Sequence, residues 1–358
     1  MRSVARKMPE GVKGYLRPLV RKKKFPDFLI IGAQKAGTTW LHRNLQTHPQ
    51  VWMPKEKELH YFDEKMGAET SLRSKLWGKR AMDERWRRQV RRQMGRYARF
   101  SPSDIAWDLR YFLGSWNDAW YASLFAQGTG KTAGETTPDY SVLGRKHIAH
   151  VREIMPDARI IFLMRNPIER AWSQSLMDLR GRNIEDVTDE EFQRHFKGKR
   201  SHLFTDYLRT LANWEAFFPQ GQIFVGFLED VHFYPNRLLA RAYRFLGVDP
   251  SADYRVIRRK IHSRDVETMP TRLAVGLAEA YLGDARALEE RFGGYASFWR
   301  YAAERLIEDP PAEERIAYPL WESSLWEGWV KESGLSPVPG SREAGPQSGP
   351  LPTVRALK

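Results

Sequence analysis

The stretch from Phe25 to Asp63, FPDFLIIGAQKAGTTWLHRNLQTHPQVWMPKEKELHYFD, constrains the fold more than any other part of the chain. The run Phe28-Leu29-Ile30-Ile31 has the length and composition of a strand buried on both faces of a parallel sheet. Gly32 and Gly37 bracket the next four residues, and Thr38-Thr39 open a segment whose Leu41 and Leu45 lie one helical turn apart and which must end before Pro49. The unit is strand, glycine loop, helix. Glycines let the backbone turn tightly and approach a ligand, and free N–H groups at the helix start carry the positive end of the helix dipole. Such a unit binds an anion, and phosphate fits it best.

The spacing argues against a nucleoside triphosphate. In G-x-x-x-x-G-K-[ST] the lysine follows the second glycine and reaches the β and γ phosphates. Here Thr38 holds that position and the loop's lysine is Lys35, inside the bracket. A P-loop kinase therefore remains the weaker alternative. Gly-Ala-Gln-Lys-Ala-Gly-Thr-Thr instead resembles the 5′-phosphosulfate loop of sulfotransferases that use 3′-phosphoadenosine 5′-phosphosulfate (PAPS), closest in wording to the branch acting on heparan sulfate and related glycans. The resemblance implies donor contacts from Lys35, Ala36, Gly37, Thr38 and Thr39.

A donor with a second phosphate needs a second basic site. Ile160 to Met164 reads as another buried strand, followed by Arg165 at its carboxyl end, Asn166 as N-cap, Pro167 at the first helical position and Glu169 completing an N-x-x-E capping box. Arg165 followed eight residues on by Ser173 resembles the family's 3′-phosphate signature. Arg258 to Arg264 lies where relatives carry a loop over the nucleotide, which proposes Arg259 or Lys260 for the same phosphate.

Lys55 to Asp63 resembles the glycan branch's segment of glutamate, any residue, histidine, two aromatics and aspartate. The residue matching its catalytic base is Glu58. Sulfuryl transfer needs a proton acceptor for the attacking hydroxyl and a positive group for the departing phosphate oxygen; Glu58 and Lys35 take these roles. His60 is the rival base, with His60 and Asp63 otherwise in supporting contacts. No metal is expected. The family often places a lysine after the glutamate of Gly134-Glu135-Thr136-Thr137-Pro138, and this chain departs from it with Thr136; Thr136 and Thr137 could orient an acceptor or begin a turn.

Alternation of strands and helices predicts an α/β, P-loop-like three-layer domain with a mainly parallel sheet and helices on both faces. Further elements are expected as a strand near Lys131 to Gly134, a helix near 145–154, a helix from Leu203 to Phe218, a strand from Ile223 to Leu228, a helix between Pro235 and Gly247, and a final helical element from Leu288 to Trp299. The domain is expected over 25–310, with a basic helical insertion at 64–118 in which Trp86, Val90, Met94 and Tyr97 fall at helical spacing. The insertion's basic face suits either solvent or a rim attracting an anionic acceptor or membrane. An aromatic-rich segment, 311–333, has no evident role, and a Pro, Gly and Ser-rich tail follows from 334.

Residues 1–24 carry nine cations against one glutamate, more than half of the chain's net charge of +14. They read as a solvated basic lead that could also meet anionic lipid, which would suit a glycolipid acceptor. No nucleic-acid reader motif accompanies the charge, and a noncatalytic basic binding protein would not need two phosphate motifs with Glu58 between them. The absence of cysteine excludes disulfides and thiolate metal sites. No apolar run reaches the length of a membrane span. Animal glycan enzymes of this type are Golgi-anchored, so the resemblance implies a bacterial, cytoplasmic member, membrane-peripheral at most. The acceptor is expected to be a carbohydrate or glycolipid hydroxyl, with a lipid or small-molecule alcohol as alternative and an amine as a further option.

Overall fold

A computed structural model of the chain describes residues 24–334 except 69–70, 95–101, 180–181, 183–186, 197, 253–255 and 257–267. Residues 1–23 and 335–358 lie outside the described residues, as do Tyr97, Arg259 and Lys260.

Five parallel strands form the central sheet: β1 (Phe28–Gly32), β2 (Val51–Trp52), β3 (Thr132–Thr136), β4 (Arg159–Met164) and β5 (Ile223–Phe227), in the order β2-β3-β1-β4-β5. β1 lies at the centre because it is apolar throughout. Phe28, Leu29, Ile30 and Ile31 are each fully buried, and each such side chain contributes about 1.5–3 kcal/mol relative to exposure. Both faces of the strand are therefore covered, as the α/β expectation requires.

The registers Ile30↔Thr136, Ile30↔Ile161 and Met164↔Phe227 align the carboxyl ends of β1, β3, β4 and β5 along one edge. The chain leaves β1 toward β2 and β3 on one side and reaches β4 and β5 on the other. That is a topological switch point, the place where open α/β sheets bind ligands.

The helices in chain order begin with α1 (Thr38–Thr47), then α2 (Leu72–Trp77), α3 (Ala81–Met94), α4 (Pro102–Leu113) and α5 (Asp118–Ser123) between β2 and β3. α6 (Arg145–Ile154) links β3 to β4; α7 (Pro167–Asp178), α8 (Asp189–Phe196), α9 (Lys199–Thr205) and α10 (Tyr207–Glu215) precede β5. After β5 come α11 (Leu228–Phe233), α12 (Pro235–Leu246), α13 (Thr271–Phe292), α14 (Tyr295–Glu308) and α15 (Ser324–Ser333). Two further strands, β6 (Thr268–Pro270) and β7 (Arg315–Ala317), pair antiparallel.

Three local expectations are corrected. The single helix from Leu203 to Phe218 is two, because the Asp206 side chain accepts from Arg209 N at 3.0 Å and caps a new start. The final element is a long hairpin, α13 and α14, whose turn at Gly293 and Gly294, both at positive φ, falls inside the expected helix. Glu169 completes no capping box; its carboxylate instead accepts from Arg165 and from the amide of Leu320.

Candidate active site at the carboxyl edge of the sheet

β1 ends at Gly32, where a Cβ would lie 2.9 Å from Ser141 Cβ and 3.1 Å from the Phe162 ring, so the chain can turn there only without a side chain. Ala33 N donates to Leu163 O at 2.6 Å and fixes the loop to β4. Lys35 adopts a left-handed φ of 69°, and Gly37 at φ 87° is the N-cap of α1. Gly37 offers no side-chain cap, which leaves the first N–H groups of α1 for a ligand. Leu228 Cδ1 would come within 3.0 Å of a Cβ at Gly37, so α11 closes the other wall of the loop.

The Glu58 segment docks on the tip of β3. Glu58 N donates to Thr136 O at 2.9 Å, and Tyr61 N donates to the Tyr140 hydroxyl at 2.9 Å. Tyr140 and Tyr121 both donate to the fully buried Glu135, which anchors the assembly from behind. Lys65 is buried and donates to Leu59 O. These ties hold Glu58 at φ 66° and His60 at φ 52°, conformations that cost a non-glycine residue about 1–2 kcal/mol each.

Charges then sort the roles within the segment. Lys57 Nζ pairs with Glu58 Oε1 at 2.6 Å, while His60 lies between Glu58 Oε2 at 3.9 Å and Asp63 Oδ2 at 2.7 Å. Burial pushes the Glu58 carboxyl up, but His60 and Lys57 outweigh it and pull it down to about 2. Burial likewise pushes His60 down, yet Asp63 and Glu58 outweigh it and raise the imidazole to about 9. Glu58 is thus an ionised, 41% exposed carboxylate and His60 a buried imidazolium. His60, Asp63 and Glu64 bring one donor atom each within 4.8 Å of one another. His60 pairs with Asp63 and Arg85 with Glu64 at 3.1 Å, so the cluster is tied into an ion-pair network.

Arg165 stands at the end of β4. Its Nε and Nη2 donate to Glu169 Oε2 at 3.0 and 2.8 Å, Nη1 to Lys35 O at 3.2 Å, and Nη2 also to the Tyr318 hydroxyl at 2.7 Å. Ser173 lies against the same Tyr318 hydroxyl and favours its ionised form. The two positions expected at the 3′-phosphate are therefore brought together, with a phenol between them, and they adjoin the Lys35 loop.

The sequence profile described as the sulfotransferase family matches residues 26–253. The chain belongs to the sulfotransferase family. A curated relative, the membrane-associated sulfotransferase kil1 of Dictyostelium discoideum, is 27% identical over 149 residues, covering 42% of this chain and 22% of that protein. The chain thus spans about a fifth of that relative's length. The crystal structure of a sulfotransferase from Alicyclobacillus acidocaldarius superposes with a TM-score of 0.52 at 22% identity, covering 77% of this chain and 98% of that one, a likeness of fold.

Two residues of this site escape the sequence reading. His42, on α1, places Nδ1 3.0 Å from Thr136 Oγ1 in a buried space. Burial chiefly, with Lys57 and Arg43 adding, lowers its pKa to about 3, so the slot holds a neutral imidazole and a hydroxyl. The signal available in the sequence was its place one turn after Thr38 on the loop's helix. Tyr318 is the other, reached only through tertiary contact. Thr136 and Thr137 are both fully buried, the hydroxyl of Thr137 donating to Glu135 at 3.1 Å and that of Thr136 lying against His42.

Proposed function

We propose that this sulfotransferase moves the sulfuryl group of PAPS to a hydroxyl of a carbohydrate or glycolipid, with Glu58 as general base. The observation that carries the reading is the ionised Glu58 carboxylate docked through its amide on Thr136, at the edge where the Lys35 loop and Arg165 also converge. The acceptor oxygen attacks sulfur while its proton passes to Glu58, and the bond from sulfur to the bridging phosphate oxygen breaks, leaving adenosine 3′,5′-bisphosphate. Lys35 and the N–H groups of Gly37, Thr38 and Thr39 stabilise the charge on the departing oxygen. His60 is a poor candidate for the base because Asp63 and Glu58 keep it protonated; it orients Glu58 instead. The remaining barrier reduction comes from holding attacking and leaving oxygens in line. The wording of the Glu58 segment favours the glycan branch.

The test is transfer of label from ³⁵S-PAPS to a panel of glycans and glycolipids by wild type and Glu58→Gln. The variant is expected to lose about 10²–10⁴-fold in turnover while binding the bisphosphate normally. Undiminished turnover by Glu58→Gln overturns the assignment.

A further inference from the structure

Seven large apolar side chains are prominently exposed among the described residues, and six of them belong to the two helices α2 and α4: Leu72, Leu76, Trp77, Ile105, Leu109 and Leu113. α4 is apolar on two sides. Trp107, Tyr111 and Phe112 face the core, while Ile105, Leu109 and Leu113 recur every fourth residue and form a stripe exposed by 36, 52 and 55%. Trp77, at the end of α2, is 73% exposed. Apolar surface gathered in this way on an otherwise hydrophilic chain marks an interaction face.

The helices are locked into one module. Lys75 of α2 donates to Phe112 O and Gly114 O at the end of α4, at 3.2 and 2.9 Å. Arg87 of α3 donates to the carbonyls of Lys75, Leu76 and Gly78 at 3.0, 3.3 and 2.9 Å, closing the end of α2. The cationic helix thus lies directly against the apolar one. Residues 71–94 carry nine cations against two carboxylates, and Arg88 and Arg92 are 67 and 57% exposed.

We propose that this module is a docking face for an anionic lipid bilayer. Leucines, an isoleucine and a tryptophan enter the headgroup boundary, and the exposed Arg88 and Arg91 of α3 meet the anionic headgroups. Charge complementarity favours this occupant over a second copy of the chain, which would bring the same cations face to face. The module is also pinned to the Glu58 segment: Arg92 to Glu56 at 3.2 Å, Lys55 to Asp108 at 2.5 Å, and Arg85 to Glu64 at 3.1 Å. A bilayer docked there lies beside the acceptor side of the site. The significance of that placement rests on the proposed sulfuryl transfer to a glycolipid; vesicle binding itself does not, and it is measured without turnover.

The experiment is co-sedimentation of the full chain with vesicles of phosphatidylcholine alone and of phosphatidylcholine with phosphatidylglycerol. Wild type is expected to sediment with the anionic vesicles, and the combined variant Trp77→Ser, Leu109→Ser, Leu113→Ser to bind them about tenfold more weakly or worse, at an unchanged unfolding midpoint because these side chains are exposed. Arg88→Gln with Arg91→Gln should weaken binding and flatten its salt dependence. Equal binding by the triple variant and wild type assigns the membrane contact to another region, such as the basic lead, and overturns the proposal. So does a wild type that ignores vesicles and instead forms a dimer in ultracentrifugation that the triple variant loses, since the face is then a protein interface.

Discussion

The Tyr318 hydroxyl lies 2.7 Å from Arg165 Nη2 and also adjoins Ser173, so that one phenol meets two residues eight apart on the β4–α7 unit. Arg165 is only 8% exposed, and its guanidinium is shared among Glu169, Lys35 O and this phenol. An incoming phosphate at the pair must replace the Tyr318 contacts. Tyr318→Phe is therefore expected to bind adenosine 3′,5′-bisphosphate about fivefold more tightly, the equivalent of about 1 kcal/mol for one hydrogen bond no longer displaced. Isothermal titration calorimetry checks this, and weakened binding makes Tyr318 a ligand of the phosphate.

Arg165 also has a structural load. Removing it leaves the fully buried Glu169 carboxylate without its cation. Arg165→Ala is expected to cost about 3–5 kcal/mol in urea unfolding, with the Leu320 amide still bonded to Glu169. A loss near zero would mean that the pair is solvated.

The two site histidines should shape stability with pH in opposite senses. His42 has a folded pKa near 3 against 6.5 unfolded, so the unfolded chain binds more protons between those values. Its contribution is complete above pH 6.5 and is lost as pH falls toward 3. His60 has a folded pKa near 9, so its contribution is complete below pH 6.5 and is lost as pH rises through 9. The stability difference between wild type and His42→Asn should therefore change on the acid side, and that between wild type and His60→Asn on the alkaline side, with an acid-side change besides because His60 also holds the Glu58 carboxyl down. Unfolding free energies across pH for the three proteins check both signs; the buried Glu229, raised to about 8, adds a slope common to all three.

A carboxylate held near 2 is always ionised at neutral pH but is a weak base. Lys57, 2.6 Å away, is one cause. Lys57→Met is expected to raise the Glu58 pKa and move the acid limb of the kcat/KM profile to higher pH. An unmoved acid limb would assign that limb to another group.

The glycine loop after β1 and the Arg165 turn are legible in the sequence because their determinants are local. A fully apolar strand, bracketing glycines and the Asn166 cap, which accepts from Ile168 N at 3.0 Å, lie within a few residues of what they position. What is not legible is non-local. His42 meets Thr136 across 94 positions and Tyr318 meets Arg165 across 153. Glu169 has the spacing of a capping box, but a guanidinium and a distant amide compete for it and win. Periodicity locates both apolar sides of α4 without telling which one the core covers.

Use of PAPS as the donor is tested by thermal unfolding with adenosine 3′,5′-bisphosphate and, in parallel, with ATP and magnesium. A ligand bound only by the folded chain at a hundredfold over its Kd adds about 2.7 kcal/mol and raises the midpoint by about 4 °C. The midpoint should rise with the bisphosphate and stay unchanged with ATP. Stabilisation by ATP with magnesium alone would contradict PAPS use and withdraw the donor roles given to Lys35, Arg165 and Ser173.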